Sequence, residues 1–154
     1  MKVKYLVPFL CFGTFIVACK KEKPLKEFMV DSWQTTYLKI EMKSYNNSDS
    51  LNIYEDKFDN NPELLAQSKY NKDGSFNAWF INSKGEKISE SKGKWNVKKD
   101  SLFVDFFYNS KQMKVSYFIQ KTEDGFIGKS EYDWDEDGKF DDFLTMKAKR
   151  INLN

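Results

Sequence analysis

The chain predicts an all-β domain, an antiparallel up-and-down meander of about eight strands that closes into a barrel. Three observations carry this expectation. Short segments rich in Phe, Tyr, Trp, Val and Ile recur between clusters of Gly, Asn and Asp, the composition of strands joined by tight turns. Apolar and polar residues alternate within those segments, and no long 3.6-residue period competes with that pattern. The connections are short, so successive strands must lie antiparallel and adjacent. About eight such strands can close on themselves, which removes exposed edges and leaves room for packed side chains or one small ligand.

Taken in order, strands are expected over 33–43, 66–71, 75–81, 87–97, 101–108, 113–120, 126–134 and 140–149, with 51–58 ambiguous. Pro62 followed by good helix formers marks a single helical turn over 62–67. The turn chemistry sits between the strands, at Asn71 to Gly74, Asn82 to Gly85, Lys98 to Asp100, Asn109 to Lys111, Thr122 to Gly125 and Asp135 to Gly138. Asp-Gly and Asn/Gly combinations supply the positive-φ positions that tight hairpins require.

Alternation also nominates an interior. Phe76, Ala78 and Phe80 share one face; so do Leu102, Val104, Phe106 and Tyr108, and Val115, Tyr117 and Ile119. Phe126, Gly128, Ser130 and Tyr132 run in phase with Leu144, Met146 and Ala148, while Lys129, Glu131, Lys147 and Lys149 take the other side. Phe103, Phe107, Phe118 and Phe143 fall on the wrong face for a core. They are placed to cover a barrel end, meet a partner or touch lipid headgroups.

The N-terminus has a different character. Lys2 and Lys4 precede an uncharged run from Tyr5 to Ala18, the length of a signal-peptide core and short of the ~20 apolar residues a spanning helix needs. The run ends in Ile16-Val17-Ala18-Cys19, which resembles the lipobox of bacterial lipoproteins. That resemblance implies cleavage before Cys19 and its acylation. Residues 1–18 are then a signal peptide, 19–30 a charged lipidated tether and 31–154 the barrel domain. Lys2 and Lys4 account for the formal charge of +2, so residues 19–154 balance at zero. A neutral domain lacks the basic face that nucleic acid requires.

Catalysis is restricted by composition. The chain has no histidine, and its two cysteines are Cys11, inside the discarded run, and the acylated Cys19. Zinc sites of the His/Cys kind, Ser-His-Asp triads and Cys-His nucleophiles are therefore excluded. The expectation is a protein that is not an enzyme.

Trp33 on the first strand, Gly93-Lys94-Trp95 with Asp100 and Leu102 following, and Arg150 after the last strand together resemble the bacterial lipocalin-like lipoproteins over roughly residues 31–151. In that family a tryptophan plugs one barrel end and an arginine lies across its ring, roles that Trp33 and Arg150 match by position. The family's glycine two residues before the tryptophan is Asp31 here. The resemblance implies a small hydrophobic molecule or lipid in the barrel, with Phe76, Phe80, Val104, Phe106, Tyr108, Tyr117, Tyr132 and Met146 as its lining. Ala78, Gly93, Gly128 and Ser130 leave volume for a cavity, and a collapsed aromatic core is the other reading. By the same analogy Lys20 after Cys19 implies the outer membrane of a diderm envelope. A non-catalytic module that binds another envelope protein is the alternative function.

The acidic stretch 132–142 carries Asp133, Asp135, Asp137 and Asp141 at positions 1, 3, 5 and 9 around Gly138, with Lys139 offering a carbonyl at position 7. That is the spacing of a calcium loop, in which alternate carboxylates converge on one hard cation. Position 12 is Leu144 rather than the bidentate glutamate of an EF-hand. A short extracellular-type calcium loop and a plain hairpin with an acidic, solvated tip both fit.

Overall fold

The computed structural model describes residues 23–153 other than 44, 46–47, 59–62 and 109. Cys19 and the run before it, Pro62 and Asn109 lie outside the described residues. The elements are a short helix α1 (Leu25–Met29) and nine strands: β1 (Asp31–Met42), β2 (Asn52–Asp56), β3 (Leu64–Tyr70), β4 (Ser75–Asn82), β5 (Lys87–Lys98), β6 (Ser101–Tyr108), β7 (Lys111–Lys121), β8 (Gly125–Tyr132) and β9 (Asp142–Ile151). Strands β3 to β9 pair in sequence order, β1 pairs with both β3 and β9, and an eight-stranded antiparallel barrel closes; β2 is a ninth strand, appended to β1.

Two expectations are corrected and one ambiguity is settled. Residues 64–67 continue the strand β3 rather than forming a helical turn, because pairing with β4 from Leu64↔Asn82 to Gln67↔Trp79 outweighs local helix propensity. The ambiguous stretch 51–58 contains a true strand, β2. The tether does not extend to residue 30: α1 folds under the barrel, with Met29 fully buried and Phe28 5.3 Å from Trp33 between ring centroids. Charged neighbours hid that helix, since its apolar face is only Leu25, Phe28 and Met29.

The barrel has unlike ends. At one end lie α1, the β3–β4, β5–β6 and β7–β8 turns and the C-terminus of β9. Trp33 is fully buried there, and its indole N–H donates to the Met29 carbonyl at 3.0 Å. Phe126 meets its ring edge-on at 4.9 Å, and the Arg150 guanidinium lies 4.6 Å over it. Arg150 is held in turn by the Asp31 carboxylate and by the Phe28 carbonyl at 3.2 Å. Each polar group of this plug thus has a partner, which burial demands. Tyr70, Phe76 and Trp95 stack beside it, with the Trp95 indole N–H donating to the Asn71 carbonyl at 2.9 Å.

At the other end the wall loosens. The β1–β3 ladder runs from Asp31↔Tyr70 to Gln34↔Gln67, and the β7–β8 ladder from Phe118↔Lys129 to Lys121↔Phe126, so both join the strands only near the plugged end. A bulge at Thr35/Tyr37 shifts β1 against β9. It moves the inward face of β1 from Trp33 to Leu38, Ile40 and Met42. A second irregularity between Ala78 and Phe80, opposite Ser89 at positive φ, bends β5.

Two consequences are measurable. Trp33→Ala should cost about 3–5 kcal/mol by emptying the plug, against about 1–2 kcal/mol for Arg150→Ala, whose guanidinium is partly solvated; urea unfolding of the two variants checks the order. Burial raises the phenol pKa of Tyr70 and Tyr117, with a neighbouring tyrosine adding to each effect. An unfolded chain then releases these protons first above pH ~10, so the stability is whole below that pH and falls above it by about 1.4 kcal/mol per pH unit for each tyrosine. Tyr117→Phe should make the alkaline decline visibly shallower in a pH series of urea midpoints.

Candidate functional site

On β4, β6, β7 and β8 the inward faces grade from sealed to open. On β6, Leu102 and Val104 are buried, Phe106 is half-buried and Tyr108 is 48% exposed. On β4, Phe76 is buried while Ala78 and Phe80 are half-buried; on β7, Ile119, Tyr117 and Val115 are buried and Met113 is not. Leu38 and Ile40 of β1, Tyr132 of β8 and Met146 of β9 are likewise half-buried, whereas Met42 and Leu144, further toward that end on β1 and β9, are buried. Side chains that point into a barrel yet remain reachable from solvent define a cup. Its wall is almost wholly apolar and aromatic.

Of the eight lining residues expected from sequence, Phe106, Tyr132 and Met146 stand half-buried against the core in the wall of this cup, and Phe80 is half-buried on the face of β4 that carries Phe76 and Ala78. Phe76, Val104 and Tyr117 lie below it in the packed half, where they make its floor. Tyr108 is corrected to the rim, because its strand ends there. Leu38, Ile40 and Met113 were missed. Extending the β7 alternation by one step recovers Met113, whereas the β1 bulge hides the other two.

The small residues do not leave the cavity they suggested. A Cβ at Gly128 would sit 2.9 Å from Met146 Cε and 3.5 Å from Ile119 Cδ1, so those side chains already occupy the space. At Gly93 it would collide with the Asp105 carbonyl and the Phe106 backbone. The lower half is therefore a filled core, and half-buried inward side chains such as Phe106, Met113 and Tyr132 lie toward the mouth. Ser130 adds the one inward polar feature of note: its hydroxyl is buried without a hydrogen-bond partner, a state that costs about 1–3 kcal/mol.

The four expected outward aromatics do face outward, with Phe107 the most exposed at 59%. Phe103 borders an open groove of about 690 Å³ on the outside of β5–β7, together with Lys94, Asp105 and Lys114, and with Lys26 and Lys72 from the plugged end.

The acidic loop closes the β8–β9 hairpin beside the cup. Asp142 is fully buried and organises it, with Oδ2 accepting the Trp134 and Asp135 N–H groups at 2.8 and 3.2 Å and Oδ1 accepting the Lys43 N–H at 3.0 Å. Further carboxylates turn the chain: Asp135 Oδ1 accepts from Asp137 N–H, Asp133 Oδ2 from Gly138 N–H and Asp137 Oδ1 from Lys139 N–H, at 2.8–3.1 Å. Gly138 takes φ +89° at the bend. Lys139 also sets its ammonium 3.4 Å from Asp137 Oδ2. Trp134 and Phe140, carried by this loop, pack on Tyr132 at 5.1 and 5.5 Å. Hairpin and cup therefore share a wall. The expected strand ends at 134 and 140 retreat to Tyr132 and Asp142 because this turn network replaces the ladder.

No protein-family model and no curated protein matches this chain in sequence.

Since Asp142 satisfies three backbone N–H groups in a site without water access, Asp142→Ala should destabilise the protein by about 3–5 kcal/mol. Asp142→Asn should recover part of that loss, and thermal melting of both variants compares them.

Proposed function

We propose that this chain is a lipid-anchored, lipocalin-like barrel of the bacterial cell envelope, tethered to the outer membrane through Cys19, which binds a small hydrophobic molecule or lipid without catalysis. The observation that carries the reading is the cup. A barrel built for stability alone gains about 25 cal/mol for each Å² of apolar surface it hides, yet Phe106, Met113 and Tyr132 point inward and stay only half-buried toward the mouth. A hydrocarbon chain lying on them would complete that burial. The unpartnered Ser130 hydroxyl offers a hydrogen bond to a polar group deeper in the wall, so the favoured ligand is amphipathic, with fatty acids the simplest class. Anchoring rests on Cys19 at the end of the apolar run.

A second reading, a module that docks another envelope component, is favoured by the outward Phe103, Phe107 and Phe118 beside the lysine-bordered groove.

Titration with a fluorescent fatty acid should show one bound molecule per chain. Ala78→Trp, which fills the cup, should weaken binding at least ~10-fold, whereas Phe103→Glu on the outer face should leave it unchanged. Protein purified from membranes should carry a lipid in native mass spectrometry, and Cys19→Ser should abolish palmitate labelling. An empty protein without fatty-acid uptake overturns the carrier reading. Sensitivity to Phe103→Glu and not to Ala78→Trp transfers it to the outer face.

A further inference from the structure

The structure assigns a calcium site to the β8–β9 loop, with Asp133, Asp135 and Asp142 at its centre and Asp137 and Asp141 beside them. One carboxylate oxygen from each of Asp133, Asp135 and Asp142 lies within 4.8 Å of the other two. Convergence of this kind is repulsive by itself. What distinguishes the loop is how the oxygens are used. Asp133, Asp135 and Asp137 each commit one oxygen to a backbone N–H of the loop. Their second oxygens, Asp133 Oδ1, Asp135 Oδ2 and Asp137 Oδ2, are closed to solvent and accept no hydrogen bond, and Asp141 Oδ1 is in the same state.

Four solvent-excluded carboxylate oxygens without a hydrogen bond lie within nine residues, and of these Asp137 Oδ2 alone has an ion-pair partner among the described residues. The Asp137 side chain is only 4% exposed, and the Lys139 ammonium at 3.4 Å answers that carboxylate alone. Isolated ionised carboxylates are among the costliest groups to withdraw from water. A divalent cation relieves the whole set. The donors are all hard oxygens, and no histidine exists anywhere in the chain, which excludes imidazole ligation and favours calcium or magnesium. Carboxylates spread along a flexible nine-residue loop suit the larger ion, which accepts irregular coordination by six to eight oxygens, better than the strict octahedron of magnesium. The backbone bonds leave the free oxygens pre-oriented, so the ion meets a built cradle.

Asp142 extends the site beyond the alternating set read from sequence. It anchors the first half of the loop through Trp134 and Asp135 and reaches across to Lys43 after β1. A bound cation would therefore tie the hairpin to the barrel mouth, and the stacked Trp134 reports on it through its fluorescence.

Calorimetric titration of the wild-type protein with calcium chloride, after removal of divalent ions by chelation, should give one ion per chain with a dissociation constant of roughly 0.1–1 mM. At about 10 mM calcium the melting temperature should rise by several degrees, because the native state alone binds the ion. Magnesium at the same concentration should bind at least ~10-fold more weakly. Asp133→Asn and Asp135→Asn, which preserve size, should each lose the calcium response, while Glu136→Gln, whose carboxylate is exposed and paired with Lys111, should keep it. Absence of binding heat from the wild-type protein at millimolar calcium, or an undiminished response in folded Asp133→Asn and Asp135→Asn variants, overturns the site. Equal affinity for magnesium overturns the assignment to calcium. Neither result depends on fatty-acid uptake, so the site stands or falls apart from the proposed cargo.

Discussion

The seat of Trp33 is the contact on which the rest of the barrel depends. It is the point where helix, first strand and last strand meet: its indole caps the Met29 carbonyl, its face takes the Arg150 guanidinium and its edge takes Phe126. β1 is also the strand that closes the barrel, pairing with β3 on one edge and β9 on the other. Locking one residue of β1 at the plugged end therefore fixes the closure. It also places α1 and the described residues before it at that end, opposite the cup, an arrangement that suits the anchoring proposed above.

The same polarity explains the packing. Near the plug the interior is filled, with Tyr70, Phe76 and Trp95 stacked and the space beside Gly128 taken by Met146. Toward the mouth the β1–β3 and β7–β8 ladders stop, and inward side chains become accessible. Stability is concentrated where the wall is continuous, and the less tightly joined half carries the candidate sites. The acidic loop belongs to that half as well, so its charge balance and the shape of the mouth meet through Tyr132 and Trp134.

Legibility in the sequence followed locality. Alternation placed β4, β6, β7 and β9 within a few residues and assigned Phe103, Phe107, Phe118 and Phe143 to the outer surface, because period two is a local property of each strand. The β1 bulge was not legible: one extra residue near Thr36 reverses the face, and only pairing with β9 reveals it. Nor was α1, whose apolar contribution is confined to Leu25, Phe28 and Met29 amid charges. Of the acidic loop, the spacing of four aspartates could be read directly. The role of Asp142 could not, since its carboxylate joins two N–H groups of the folded loop to that of Lys43, which lies 99 residues away in the chain. The small residues misled for a related reason: whether Gly128 marks a void depends on the rotamer of Met146, a tertiary fact.

The central claim, a barrel sealed at Trp33 and open to an apolar ligand at the opposite end, is tested most directly by locating that ligand. A crystal structure of the protein with a brominated fatty acid, the bromine placed by its anomalous scattering, should put the halogen in the cup among Phe106, Tyr132 and Met146. Bromine in the outer groove beside Phe103 and Lys94, with the cup empty, would contradict the account.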